Sequence, residues 1–158
     1  VIRRARIEER DALTAMMHRS KAHWGYDADF MAAARAVLQL SPLDFESERL
    51  VVFDDGVPQG LCKLGIEGEM AQVDKLFVAP EGMGRGVGRA LMEWAIETAR
   101  AAGAKRMEIE ADPDAAPFYA RMGAREIGRV PSEAIAGRTL PLMQIDLTDL
   151  ARGGLRSI

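Results

Sequence analysis

A mixed α/β fold, with a mostly antiparallel sheet flanked by helices on both faces, is predicted for this chain by three observations. The first half carries antiparallel hairpin signals, above all Asp54-Asp55-Gly56 between two apolar runs. The second half alternates strand, helix, strand, helix, strand, the order that brings two parallel strands into one sheet. Joining the halves is Glu81-Gly82-Met83-Gly84-Arg85-Gly86-Val87-Gly88-Arg89, in which glycine at alternate positions lets a strand turn sharply into a helix.

Taken in order, residues 2–7 read as a short strand, and residues 8–19 follow with Leu13, Met16 and Met17 at helical spacing. Residues 20–26 form an aromatic-rich loop. A second helix is predicted over residues 27–38, with Phe30, Ala33, Ala34, Val37 and Leu38 on one face. Residues 50–53 and 57–66 read as a hairpin, and 70–78 as the strand feeding the glycine-rich segment. From 84 to 102 a face of Val87, Ala90, Leu91, Trp94, Ala95, Thr98 and Ala99 predicts a helix against the sheet, stopped by Gly103. Residues 105–111 alternate Met107 and Ile109 with charges, a strand. Pro117 would break a helix begun at Pro113, so capping by Asp114 is predicted, which puts Pro117 in the first turn where its missing N–H is not needed. Gly123 closes that helix, and strands follow near 124–129 and 140–147. The expectation is a central sheet of six to seven strands with about four helices, one domain over residues 1–150, and a loose tail at 151–158.

A length of 158 residues with 48% hydrophobic and 28% charged residues suits one soluble domain with a sizeable core. Nothing reads as a signal peptide or an 18-residue apolar span, and the start at Val1 instead of Met points to a trimmed beginning. One cysteine excludes an intramolecular disulfide, so a cytoplasmic setting is expected. A formal charge of −3 gives no general pull toward nucleic acid or an anionic membrane.

The glycine-rich segment also leaves successive backbone N–H groups bare at the positive end of a helix, the makings of a phosphate cradle. A nucleotide P-loop would end Gly-Lys-Ser/Thr, whereas this segment ends Gly88-Arg89-Ala90. The dinucleotide fingerprint would need glycine where Val87 or Arg89 stands. What remains, Met83-Gly84-Arg85-Gly86-Val87-Gly88 after Val78-Ala79-Pro80, resembles the acetyl-CoA pyrophosphate loop of the GNAT superfamily of N-acetyltransferases, Arg/Gln-x-x-Gly-x-Gly/Ala, with Met83 in place of Arg or Gln. Downstream, Asp112-Pro113-Asp114-Ala115-Ala116-Pro117-Phe118-Tyr119-Ala120-Arg121-Met122-Gly123-Ala124 resembles that family's Asn-x-x-Ala-x-x-Phe-Tyr-x-x-x-Gly-Phe element, with Asp112 and Ala124 at the Asn and Phe positions. The two motifs, in this order with one helix and one strand between them, cover residues 70–126, and the flanking elements agree with the GNAT fold.

The resemblance implies an acetyl-CoA-dependent N-acetyltransferase with acetyl-CoA as cosubstrate and a small-molecule or peptide amine as acceptor. Backbone groups of Leu76, Phe77 and Val78 would hold pantetheine as an added strand and polarise the thioester carbonyl. The cradle of Met83, Gly84, Arg85, Gly86, Val87, Gly88 and Arg89 would take the pyrophosphate, and Asp112 and Phe118 would also contact the coenzyme. Tyr119 matches the position whose phenol protonates the departing thiolate; its alternative is a core tyrosine with a satisfied hydroxyl. Trp24 and Tyr26, with His18 and His23, sit where the family's first helices border the acceptor, and their aromatic faces suit an amine; a loop packed down by its rings is the alternative.

Asp74 shares a face with Leu76 in a regular strand, so its carboxylate would orient or deprotonate the amine through water, unless it is a solvated side chain beside Lys75. Glu108 and Glu110 fall on the polar side of their strand, with one able to reach the acceptor cleft. Cys62 reads as a buried small hydrophobe, which favours direct transfer in a ternary complex over ping-pong chemistry. Two histidines five apart with no carboxylate at ligand spacing make no metal site. The connection at 131–138 borders the acceptor or a second subunit in that family, leaving a homodimer open. Two rival functions also stay open: a non-catalytic acyl-CoA-binding sensor, favoured by Met83, Asp112 and Ala124 and opposed by Tyr119, and an acyltransferase using longer chains.

Overall fold

The computed structural model describes residues 1–150, so the tail reading at 151–158 lies outside the described residues. Seven strands, β1 (Ile2–Arg4), β2 (Leu50–Asp54), β3 (Pro58–Glu67), β4 (Met70–Val78), β5 (Arg106–Glu110), β6 (Arg125–Pro131) and β7 (Thr139–Asp146), form one sheet in the order β1-β2-β3-β4-β5-β7-β6. Every neighbouring pair is antiparallel except β4 and β5. That parallel pair holds register only over Met70↔Arg106, Ala71↔Met107 and Gln72↔Glu108. Beyond it β4 runs on to Val78 while β5 stays on β7, so among the described residues no strand lies beside the edge of β4 from Val73 onward on that side. The two strands splay, and the opening between them is where the site lies.

The helices are α1 (Arg10–Ala22), α2 (Ala28–Val37), α3 (Pro42–Glu46), α4 (Val87–Ala101), α5 (Ala116–Arg121) and α6 (Leu147–Leu150). None is long and apolar enough to cross a membrane. Alternation along the central strands divides the core in two. Leu50, Val52 and Leu61 pack on one face with Leu13, Met16 and Met17 of α1, while Val51, Cys62 and Leu64 pack on the other with Leu91, Met92, Ala95 and Ile96 of α4. Each such leucine or methionine, fully withdrawn from water, contributes on the order of 2 kcal/mol before chain entropy is set against it.

Several boundaries differ from expectation for local reasons. The first strand ends at Arg4, and Ile7–Glu9 is a 3-10 turn in which the Glu9 carboxylate accepts from the Arg6 N–H at 2.9 Å. Helix α1 runs to Ala22, because Ser20 is buried and Lys21 is held by an ion pair, and so absorbs half of the expected aromatic loop. On α2 the buried face is Met31 and Ala34, leaving Val37 40% exposed. The short α3 went unread, although Ser41-Pro42-Leu43-Asp44 carries its signature: the Asp44 carboxylate accepts from the Ser41 N–H at 2.8 Å, and proline sits in the first turn. Helix α4 starts at Val87, not Gly84, because Gly84 and Gly86 take φ of 75° and 81°, outside the helical region. Its stripe also turns toward Met92 and Ile96. Ala115, not Asp114, is the N-cap of α5: the Asp112 carbonyl accepts from the Ala115 and Ala116 N–H groups, while Pro117 stays in the first turn as expected.

Candidate active site

The loop from β4 into α4 forms one wall of a groove of about 780 Å³. The amide groups of Gly84, Arg85, Gly86, Val87 and Gly88 donate to no described residue, and they cluster at the N-terminus of α4. A Cβ on Gly84 or Gly86 would meet nothing within 4 Å, so the space above these amides is open. This is what an anion needs: several uncommitted N–H donors and the positive end of a 15-residue helix. Gly82 is fixed for another reason, since a Cβ there would lie 3.0 Å from Oε1 of the buried Gln59. Sequence reading missed Gln59, because its place beneath the loop comes from the β3–β4 pairing. Met83 and Arg89 line the groove, and Arg89 also pairs with Glu93 at 3.6 Å. Arg85 stands exposed on the cradle.

The groove runs from the cradle along Val78 and Leu76 of β4 and Phe118 and Tyr119 of α5. A second cleft of about 380 Å³ opens on the other side of the same strand and shares Leu76, Ala115 and Tyr119 with the groove. Tyr119 therefore stands where the two meet. It is 5% exposed, and its hydroxyl makes no hydrogen bond to a described residue. Burial, with smaller contributions from Cys62 and Asp112, raises its phenol above the ordinary tyrosine range, so it stays protonated across neutral pH. Phe118 meets its ring edge-on at 5.1 Å and lies 3.5 Å from where a Cβ on Gly88 would be. Cys62 is fully buried with its thiol pushed up to about 12 by burial, then by Asp74, which keeps it a packed thiol and not a nucleophile.

Asp74 lies on the second cleft, but on a bulge and not on a regular strand. Leu64 pairs with Val73 and Lys63 with Lys75, leaving Asp74 as the extra residue, and its carboxylate lies over Gly65, whose Cβ would come within 3.0 Å of Oδ2. Partial desolvation raises its carboxyl above the usual range, with Lys63 and Lys75 opposing and Asp44 adding to the rise. Asp74 and Leu76 both line this cleft, but through a bulge and not through the regular alternation that the sequence predicts. Glu108 and Glu110 of β5 line the same cleft, as do Ser132, Glu133, Ala134 and Arg138 from the β6–β7 connection.

The aromatic segment and Asp112 occupy places the sequence did not indicate. Trp24, 47% exposed, lines the groove below the cradle with Ser20 and His23, and not the second cleft. Tyr26 lines neither; its hydroxyl donates toward Asp114 Oδ2 at 2.6 Å and lies 3.0 Å from Asp112 Oδ1. Asp112 faces the second cleft, where Lys21 bonds it directly and Arg138 lies 3.9 Å away. Burial would raise the Asp112 carboxyl, but the Lys21 ammonium and the Asp114 N–H outweigh it and hold it below the usual range. The Tyr26 ring stacks on Phe30 at 3.9 Å, and the Arg138 guanidinium lies over Phe30 at 4.8 Å. This cluster ties α1, α2 and the β6–β7 connection to the β5–α5 turn and roofs the cleft. His18 is turned away, its Nε2 2.7 Å from the Leu38 carbonyl. Among the described residues no group of three or more His, Cys, Asp or Glu is arranged to hold a metal.

Comparison with known proteins bears on this arrangement. The family described as Acetyltransferase (GNAT) family matches residues 13–124. The chain is 34% identical over 150 residues to the peptidyl-lysine N-acetyltransferase YjaB of Salmonella typhimurium, covering 91% of this chain and 95% of that protein. Its fold is similar to the crystal structure of a GCN5-related N-acetyltransferase from Rhodopseudomonas palustris, with a TM-score of 0.73 and 23% identity over 92% of this chain and 94% of that one. A TM-score of 0.73 also relates it to the PaiA N-acetyltransferase of Thermoplasma acidophilum solved in complex with coenzyme A, at 15% identity over 92% of this chain and 98% of that one.

Proposed function

The chain belongs to the GNAT family of acetyltransferases, and from that premise we propose that it transfers the acetyl group of acetyl-CoA to the side-chain amine of a peptidyl lysine by direct attack in a ternary complex. The observation that carries this reading is the unpartnered Tyr119 hydroxyl at the one place where groove and cleft meet. The ring is buried while its hydroxyl reaches the open cleft with no protein partner, which leaves the phenol available as a proton donor to a leaving group. The peptidyl-lysine specificity of a relative 34% identical supports the choice of acceptor.

The cradle amides of residues 84–88 and the side chains of Arg85 and Arg89 bind the pyrophosphate, and the free edge of β4 at Leu76, Phe77 and Val78 pairs with the pantetheine arm. Backbone N–H groups on that edge polarise the thioester carbonyl. Asp74, with its carboxyl raised above the usual carboxylate range by partial desolvation, accepts a proton from the lysine ammonium through water. The freed amine attacks the carbonyl carbon; a C–N bond forms, the nitrogen gives its second proton to water, and the C–S bond breaks as the carbonyl reforms. Tyr119 gives its phenolic proton to the thiolate and is reprotonated from solvent. The products are the acetamide and CoASH.

Release of free thiol from acetyl-CoA, followed with a panel of amines, tests the proposal. A slow basal release accelerated by lysine peptides, with N-acetyl-lysine in the product, is the expected result. A panel that leaves release at its basal rate, in a protein that binds CoA by calorimetry, would refute it.

A further inference from the structure

The acceptor-side cleft carries an uneven charge. It is lined by the carboxylates of Asp74, Glu108, Glu110, Asp112 and Glu133, against the cations Lys21, Lys75 and Arg138. Two of these cations are already committed. Lys21 bonds Asp112, and Arg138 lies 3.9 Å from that carboxylate and 3.4 Å from the Tyr26 hydroxyl, which itself donates to Asp114. Those four side chains, two cations and two anions, neutralise one another at the roof of the cleft. Among the described residues lining the remaining space are Asp74, Glu108, Glu110 and Glu133, with Lys75 as the cation left there and Lys63, paired with Asp44, acting on Asp74 from outside the lining. Glu108 accepts a hydrogen bond from Gln144 at 3.3 Å, whereas Glu110 and Glu133 have no bond or ion pair to a described residue.

The positions of these groups separate two functions. Asp74 and the nearly buried Tyr119 hydroxyl, which is unpartnered and lines this space, mark the inner end where the reacting amine sits. Glu110, at the end of β5, and Glu133, in the β6–β7 connection, are exposed and stand farther out, on two different walls. We infer, resting on the lysine acetyltransferase reading above, that this outer pair reads a second positive charge on the acceptor, so that the enzyme prefers a lysine with a lysine or arginine neighbour in the peptide. Apolar Phe30, Val37 and Leu140 on the same cleft accommodate the methylene stems between the charges.

Because both glutamates face solvent, the preference is modest and salt-sensitive: about fivefold per flanking cation at low ionic strength, falling toward unity near 1 M salt. Three lysine-centred pentapeptides, flanked by arginine, serine or glutamate, test it by thiol release at 20 mM and 500 mM NaCl, with kcat and KM determined separately. The expected order of kcat/KM is arginine above serine above glutamate, with the difference in KM and compressed by salt. In the double variant Glu110→Gln, Glu133→Gln, with its melting temperature measured alongside, the arginine-to-glutamate ratio should collapse toward one. Equal kcat/KM on all three peptides in the wild type overturns the charge inference and leaves lysine acetylation standing. A ratio that survives in the folded double variant also overturns the assignment to this pair. Basal thiol release with all three overturns both readings together.

Discussion

Replacing Tyr119 by phenylalanine removes one oxygen and keeps the ring, so chemistry and packing make opposite predictions at this position. The hydroxyl bonds to no described residue, and its loss therefore orphans no partner. The ring keeps its edge-on contact with Phe118 and its place in the core beside Cys62 and Met122. Stability should change by less than about 0.5 kcal/mol, a shift of roughly 2 °C at this size, because the hydroxyl faces the cleft and has no protein partner to lose. Turnover should fall much further. A positioned general acid contributes roughly 10²- to 10⁴-fold, and a thiolate, already a fair leaving group, places the loss near a hundredfold, or about 2.7 kcal/mol in the barrier. Burial holds the phenol protonated well past neutrality, so the variant should lose amplitude across the pH profile without gaining or losing a limb below about pH 9. The assay is steady-state thiol release at saturating acceptor, with CoA affinity by calorimetry and melting temperature measured on the same preparation. Wild-type kcat in a folded variant would sink the acid assignment, and the thiolate would then take its proton from water. A drop in melting temperature with intact turnover would mean that Tyr119 is a packing residue.

Gly86→Asp sets a carboxylate among the bare amides of the cradle, at a φ of 81° that aspartate tolerates better than most residues, so the variant should fold yet bind CoA at least tenfold more weakly, about 1.4 kcal/mol; unchanged affinity by calorimetry would remove the cradle. Asp74→Asn should slow turnover and raise the melting temperature at pH 7. The folded carboxyl is raised, so its favourable contribution is complete below the unfolded value of about 3.9 and lost as pH rises through the folded one. Near pH 3 the two proteins should melt together, and equal melting at both pH values would disprove the sign. Lys21→Met should cost about 1.5–3 kcal/mol at pH 7, because the half-buried Asp112 carboxylate loses its direct partner. The Asp112 carboxyl is depressed in the folded state, so this loss should be full above about pH 4 and fade as acid protonates the carboxylate, which thermal melts across pH 2.5–7 would reveal.

Much of the fold was legible because the signals are local. The continuous apolar run from Leu50 to Phe53, the Asp54-Asp55-Gly56 turn and the period-3.6 stripe from Val87 to Ala99 each fix an element from a few residues. The cradle was legible for the same reason, since glycine spacing alone dictates where a backbone can take φ above zero and leave amides bare. Boundaries failed where a partner distant in sequence decided them: α1 is extended by the burial of Ser20 and the bond from Lys21 to Asp112, ninety-one residues away. The start of α5 likewise follows from the Asp112 carbonyl, not from the local capping preference of Asp114.

By itself the sequence determined the order of elements, the strand-to-helix turn with its bare amides, and the presence of Tyr119 four residues past Ala115 in a helix-forming stretch, all consequences of spacing along one segment. Only the tertiary structure decided which side chains meet. The splay after Gln72↔Glu108 opens the edge of β4, the bulge at Asp74 carries a carboxylate over Gly65, and packing puts Trp24 on the groove below the cradle while Tyr26 and Asp112 lock the roof of the second cleft. These depend on strand pairing and on charges brought together from opposite ends of the chain, and loop closure over such distances leaves no trace in local periodicity.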